Sequence, residues 1–169
     1  MGESQQSQTI QRYPTTRFGE IEIAESEVLL MPEGLLGFQE LTRFTLLKDP
    51  DQEPFLWLQS LEDAGIAFVV VNPFIFFPGY EIQVKTQELQ SIELNDLAHA
   101  EILTIVTIPS ENPHDLTTNL RGPLVVNTEA NLAKQLVLID DLYHTKHYLL
   151  KDIPESLAKP PDKPNSEKG

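Results

Sequence analysis

The side chains best suited to chemistry in this chain are histidines and carboxylates that gather in one run. His144 and His147 stand three residues apart behind Asp140 and Asp141 in DDLYHTKHY. Were that run helical, the two imidazoles would share a face, as a pair of metal ligands does. The competing reading is a polar edge that closes the domain, with Tyr143 and Tyr148 packed and the histidines solvated. We carry the second forward, with no metal and no cofactor. Nucleophilic chemistry has less behind it. No serine stands in a Gly-x-Ser-x-Gly elbow. The absence of cysteine removes thiol nucleophiles, zinc-thiolate sites, iron–sulfur ligation and disulfides together. The run PEGLLGF has neither the spacing nor the Lys-Ser/Thr of a phosphate loop. Among 26 acidic residues, neighbouring carboxylates single out no acid–base pair. No residue is assigned a catalytic role.

Aromatic residues say more. PFLWLQS and NPFIFFPGY hold the only tryptophan, Trp57, and four of the eight phenylalanines. In a strand, Phe55 and Trp57 would face one side and Leu56 and Leu58 the other. Pro73 and Pro78 bracket the second run, which makes it a connection, and apolar residues in a connection are covered by the core or by a partner. Both covers stay open here: the core, or a partner that meets Phe74, Phe76 and Phe77 as an apolar patch with nearby acids as its rim.

The elements that would position these residues are short strands with frequent punctuation. Nine candidates follow from alternation or short apolar runs: residues 18–23, 28–31, 43–48, 55–60, 66–72, 80–86, 101–108, 123–127 and 135–139. Runs such as AFVVV and ILTIV are apolar throughout, as strands are when covered on both faces or closed around a small barrel. Helical signal is confined to turns at residues 87–94, 95–100 (with Asn95 as N-cap) and 131–134. No repeat of solenoid length occurs. The fold expected is all-β: one compact antiparallel β-barrel-like domain over residues 13–150 with a few short helical turns. Residues 1–12 and the proline-rich residues 151–169 are expected to be disordered.

The net charge of -14 sharpens the partner class. Residues 21–65 hold ten acids and two bases, residues 66–118 seven acids and one base, and the remaining segments are balanced. The excess therefore belongs to the domain. Direct nucleic-acid binding is disfavoured because it needs clustered lysine and arginine, whereas a basic protein is a natural partner. No signal-peptide pattern begins the chain, and no apolar run reaches the roughly 18 residues of a membrane span. The chain reads as soluble, unanchored and cytoplasmic.

The ordered motifs PEGLLGF, PFLWLQS, AFVVVNPFIFFPGY, ILTIVTIP and TTNLRGPLVVN closely resemble the FliW family of flagellar assembly factors over residues 16–148. The resemblance implies a non-catalytic β-barrel-like domain in the bacterial cytoplasm. It implies binding to CsrA, a small RNA-binding translational repressor, with relief of its repression of flagellin synthesis. It also implies binding to flagellin, which competes, so that flagellin export frees the protein to sequester CsrA. Asn119, Arg121 and Asn127 match a family motif and join Phe74, Phe76, Phe77 and Trp57 as expected partner-binding residues, although Asn and Gly-Pro in a turn are first explained by backbone geometry. Two other readings stay open: an acidic decoy that occupies the RNA site of an RNA-binding protein, and a small barrel enzyme or ligand carrier using the Asp140–His147 group.

Overall fold

A computed structural model describes residues 9–160. Seven strands form a closed ring: β3 (Leu29–Leu30), β4 (Arg43–Lys48), β5 (Leu56–Ser60), β6 (Ala67–Val71), β7 (Ala100–Thr107), β9 (Leu124–Asn127) and β10 (Leu132–Gln135). They run in the order β7-β6-β5-β4-β3-β10-β9, and β9 returns to pair with β7, which shuts the barrel. Pairings in the ring are antiparallel except β10 with β3, where Leu132 lies opposite Leu30. Closure removes the exposed edges that so many apolar strands would otherwise leave. A hairpin of β1 (Ile10–Thr15) and β2 (Gly19–Ala24) stands as a separate two-stranded sheet, and β8 (Thr117–Thr118) and β11 (His147–Tyr148) extend the main sheet beyond β7.

Period-two alternation explains how the barrel fills. Phe44, Leu58, Val70, Leu103, Leu124 and Ala133 come from six different ring strands, and with Leu29 of β3 they pack into a single buried cluster, the barrel interior. The segment leaving β3 packs into it: Met31, and Leu35 from PEGLLGF, are buried in that cluster. Gly34 makes the bend feasible, since its φ is +67° and a Cβ there would lie 2.5 Å from the Gln39 Cα.

A second cluster lies outside the barrel. The other faces of β6, β7 and β9 present Val71, Ile102, Val106 and Val125, covered by Phe77, Tyr80 and Ile92 from the connection after β6 and by Leu138, Tyr143 and Leu157 from the C-terminal segment. This two-sided burial is why AFVVV and ILTIV carry no polar face. Tyr13, Ile23, Val28 and Leu61 form a third, smaller cluster beneath the hairpin.

Several expectations about elements are corrected. Residues 131–134 do not form a helical turn; Leu132–Gln135 is β10, because β3 and β9 offer it two partners. Residues 135–139 and 80–86 read as strands, yet Gln135 is the last residue of β10, Thr86 opens a helix, and residues 136–139 and 80–85 lie in no ladder among the described residues, although residues 81–85 keep alternating burial. Residues 95–99 bend without becoming helical, Ala100 already opens β7, and Asp96, not Asn95, caps the bend by accepting from the Ala98 amide at 2.9 Å. The turns expected over 87–94 appear as α1 (Thr86–Leu89) and a following 3-10 turn.

The folded unit is also longer than expected at both ends. β1 begins at Ile10 because Tyr13 is buried against the barrel flank. Residues 151–160 are ordered on the domain: α2 (Glu155–Ala158) buries Leu157, and Lys151 pairs with Asp115 at 2.7 Å. The expected disorder of residues 1–8 and 161–169 falls outside the described residues.

Candidate functional site

The connection after β6 is built from its cap upward. Asn72 accepts the Phe74 amide on its Oδ1 at 2.9 Å, and Pro73 presets the first turn of a 3-10 segment over Pro73–Ile75. That turn splits the aromatic residues between two environments. Phe74 and Ile75 are exposed at 39% and 55%, whereas Phe77 is fully buried. Phe76 is half-buried and stacks on Phe55 at 6.1 Å between ring centroids. Phe77 is therefore core and not part of the patch, because the amides of Phe76 and Phe77 both return to the Pro73 carbonyl and turn its ring inward against His147.

Tyrosines hold this connection to the rest of the layer. Tyr80 donates its hydroxyl to the Leu120 carbonyl at 2.6 Å and packs edge-on to Tyr143 at 4.9 Å, while Tyr143 accepts the Glu81 amide on its own hydroxyl at 3.0 Å. Burial raises both phenol pKa values, with the neighbouring phenol adding to the effect at Tyr80, so both rings stay neutral hydrogen-bonding groups. Gly79 lets α2 close over the turn: a Cβ there would lie 2.2 Å from the Ser156 carbonyl oxygen, and the Gly79 amide donates to the Leu157 carbonyl at 2.9 Å.

The other expected contact residues do not join Phe74. Asn119 accepts the amides of Arg121 and Gly122 at 3.0 and 2.9 Å, the geometry of an Asx turn. Arg121 donates a guanidinium N–H to the Tyr143 carbonyl at 3.2 Å. Asn127 is buried; its Nδ2 donates to the Ile92 carbonyl at 2.8 Å, and its Oδ1 accepts from Glu129 and Ala130. Asn127 therefore ties β9 to the turn after α1 and is not available to a partner. Trp57 is half-buried, with Phe18 edge-on at 5.7 Å, the Arg17 guanidinium 4.3 Å over its ring and Gln52 accepting its indole N–H.

DDLYHTKHY is not helical. The His144 amide donates to His147 Nε2 at 2.8 Å, and the two imidazoles stack at 5.2 Å. His144 is exposed and His147 buried, which corrects the expectation of two solvated histidines. Burial, reinforced by His144, holds the His147 pKa below its ordinary value and keeps the imidazole in the neutral form that can accept a hydrogen bond. Among the described residues no group of three or more His, Asp or Glu is arranged to hold a metal ion.

Sequence reasoning missed a second surface near the first. Val137 and Ile139 are exposed at 55% and 89% and line a groove whose opposite wall is Gln83, Val84 and Lys85. The alternation in LVLID could have placed Val137 and Ile139 on one face, but not shown that face to be open.

Architecture and surface together define a class: a small closed barrel whose outer layer carries exposed apolar ledges on an acidic exterior. The sequence profile of a family described as FliW protein matches residues 12–149. The chain is 43% identical over 140 residues to the flagellar assembly factor FliW of Alkaliphilus metalliredigens, spanning 82% of this chain and 86% of that one. It is 41% identical over 135 residues to the flagellar assembly factor FliW of Natranaerobius thermophilus, spanning 80% and 89%. A crystal structure of the flagellar assembly factor FliW superimposes with a TM-score of 0.77 at 32% identity, covering 84% of this chain and 99% of that one. The chain belongs to the FliW family. Among the described residues no helix is long and apolar enough to cross a membrane.

Proposed function

We propose that this protein is a cytoplasmic, non-catalytic flagellar assembly factor that binds the translational regulator CsrA, relieves its repression of flagellin mRNA, and alternatively binds flagellin with a chaperone-like role. One observation carries the reading. The acids of residues 21–118 are exposed except Asp49 and Asp115, which are half-buried, so the domain meets its partners with an acidic surface interrupted by apolar ledges. Such a surface steers toward a basic RNA-binding protein and offers apolar contact on arrival. Phe74 and Phe76, with Ile75 between them, are the contact residues we assign, and Trp57 contributes from the hairpin side.

Antagonism requires that the protein bind RNA-free CsrA more tightly than RNA-bound CsrA, with reciprocal effects on RNA affinity. Titration of purified CsrA, free and saturated with a flagellin leader RNA, measures this directly. A weaker affinity in the presence of RNA supports the proposal, and addition of purified flagellin should release CsrA. Failure to bind CsrA at micromolar concentration, or equal affinity for the two states, would sink it. The acid excess also suits a decoy in the RNA site itself; strict one-for-one competition with RNA would favour that reading.

A further inference from the structure

Residues 80–86 and 135–139 both have the alternation of strands, and in the fold a groove lies between residues 81–85 and 137–140 where another strand could lie. The groove is two adjoining hollows of about 300 and 320 Å³ that share Gln83, Leu138 and Ile139 in their walls. On one edge of the C-terminal wall, the amides of Leu136 and Leu138 donate to the carbonyls of Pro123 and Arg121, both at 2.8 Å. Successive amides of an extended chain point to opposite edges. The backbone groups of Val137 and Ile139 therefore face the other edge, and among the described residues they make no hydrogen bond. The same holds for the backbone of Ile82, Gln83 and Val84.

An unpaired edge flanked by exposed apolar side chains is the arrangement that captures extended peptides by strand addition. The charge around it selects the peptide. Glu81, Glu88 and Asp140 line the hollows and Asp141 follows, against Lys85 alone. Nearby Lys134 is already held by the Glu88 carbonyl at 2.7 Å and by Glu33 at 3.7 Å. A second copy of this chain would bring the same acids together on a molecule of net charge -14, so self-pairing is opposed.

We propose that this groove receives an extended segment of another protein, alternating apolar and basic residues, which pairs with the free edge of Val137 and Ile139 as an added strand. None of Phe74, Ile75 and Phe76 lines the groove, which lies beyond the contact surface assigned above.

The full-length protein titrated with a fluorescein-labelled Lys-Val-Lys-Ile-Lys-Val-Lys-Ile peptide tests it by fluorescence anisotropy. The lysine peptide should bind at least about tenfold tighter than its glutamate analogue, and methylation of alternate backbone amides should cost about tenfold or more. Ile139→Pro, which deletes one edge donor, should weaken binding by a similar factor. So should Ile139→Lys, a change at a position 89% exposed and hence tolerated by the fold, while Ile108→Lys, at an exposed position outside the groove, should leave affinity unchanged. Amide resonances of residues 81–85 and 137–140 should shift on binding. Equal affinity for the lysine and glutamate peptides, unchanged affinity in both folded Ile139 variants, or shifts confined to Phe74–Phe76 would overturn the proposal. Concentration-dependent dimers dissolved by Ile139→Lys would overturn it in favour of self-pairing.

Discussion

Phe74 and Phe77 stand three residues apart and face opposite media, one toward solvent and one into the outer cluster. Phe77→Ala should therefore cost about 3–5 kcal/mol in chemical denaturation, as emptied aromatic core sites do. Ile75→Ala should stay within about 0.5 kcal/mol and, on the proposed function, act on CsrA affinity alone. If Phe77→Ala proved as stable as the parent, the burial assignment would be wrong. His147 makes a pH-dependent contribution whose sign follows from its lowered pKa. Between the unfolded value of about 6.5 and the lower folded one, the unfolded chain binds a proton that the folded chain refuses. Stability is thus fully present above about pH 6.5 and is lost as pH falls through the folded value. Melting temperatures measured from pH 8 to 5 should drop less steeply in His147→Gln, which keeps an acceptor for the His144 amide without a titrating ring; an identical slope would remove His147 from the account.

At the level of elements, what could be read in the sequence depended on who supplies the partner. β4, β5, β6 and β9 were legible within a residue or two because their apolar runs are bounded by proline, glycine and acidic turns and their neighbours lie next to them in the ring. β10 was misplaced: Leu132 pairs with Leu30 across most of the chain, a contact that no local pattern encodes. Residues 80–86 carried a genuine alternation, with Ile82 and Val84 turned inward, but alternation reports burial and not pairing. α2 was hidden by the proline-rich composition around it, since a single leucine, Leu157, anchors it. Leu157→Ala should cost about 2–5 kcal/mol. Gly79→Ala sets a Cβ against the backbone of Ser156 and Lys159, so α2 must lift, and limited proteolysis should then cut within residues 151–160 faster than in the parent. Unchanged cleavage would show that the contact can relax without releasing α2. Of the seven expected contact residues, Phe74 and Phe76 kept exposed surface on one ledge, while Asn119 and Asn127 were explained by turns whose polar partners become visible only in three dimensions.

For the whole molecule, the charge balance and the closed barrel act on different properties. An acid excess spread over the domain exterior raises encounter rates with a basic partner and is screened beyond about 10 Å at 0.1 M salt. On the proposed function, the association rate constant with CsrA should therefore fall by about tenfold or more from low to high ionic strength, with a smaller change in dissociation rate, as stopped-flow mixing would show. A salt-independent association rate would make the acid excess a solubility feature only. Followed along the chain, the last ring pairing to become available is the parallel contact between β3 and β10, joining residue 30 to residue 132. Hairpins β4-β5 and β5-β6 connect neighbours in sequence and can form early, whereas this seam waits for most of the chain and bears its full loop-closure entropy. The barrel thus behaves kinetically like a strip that zips along its length before it is latched. Substitutions at Leu30 or Leu132 should speed unfolding and leave the refolding arm of a chevron almost unchanged.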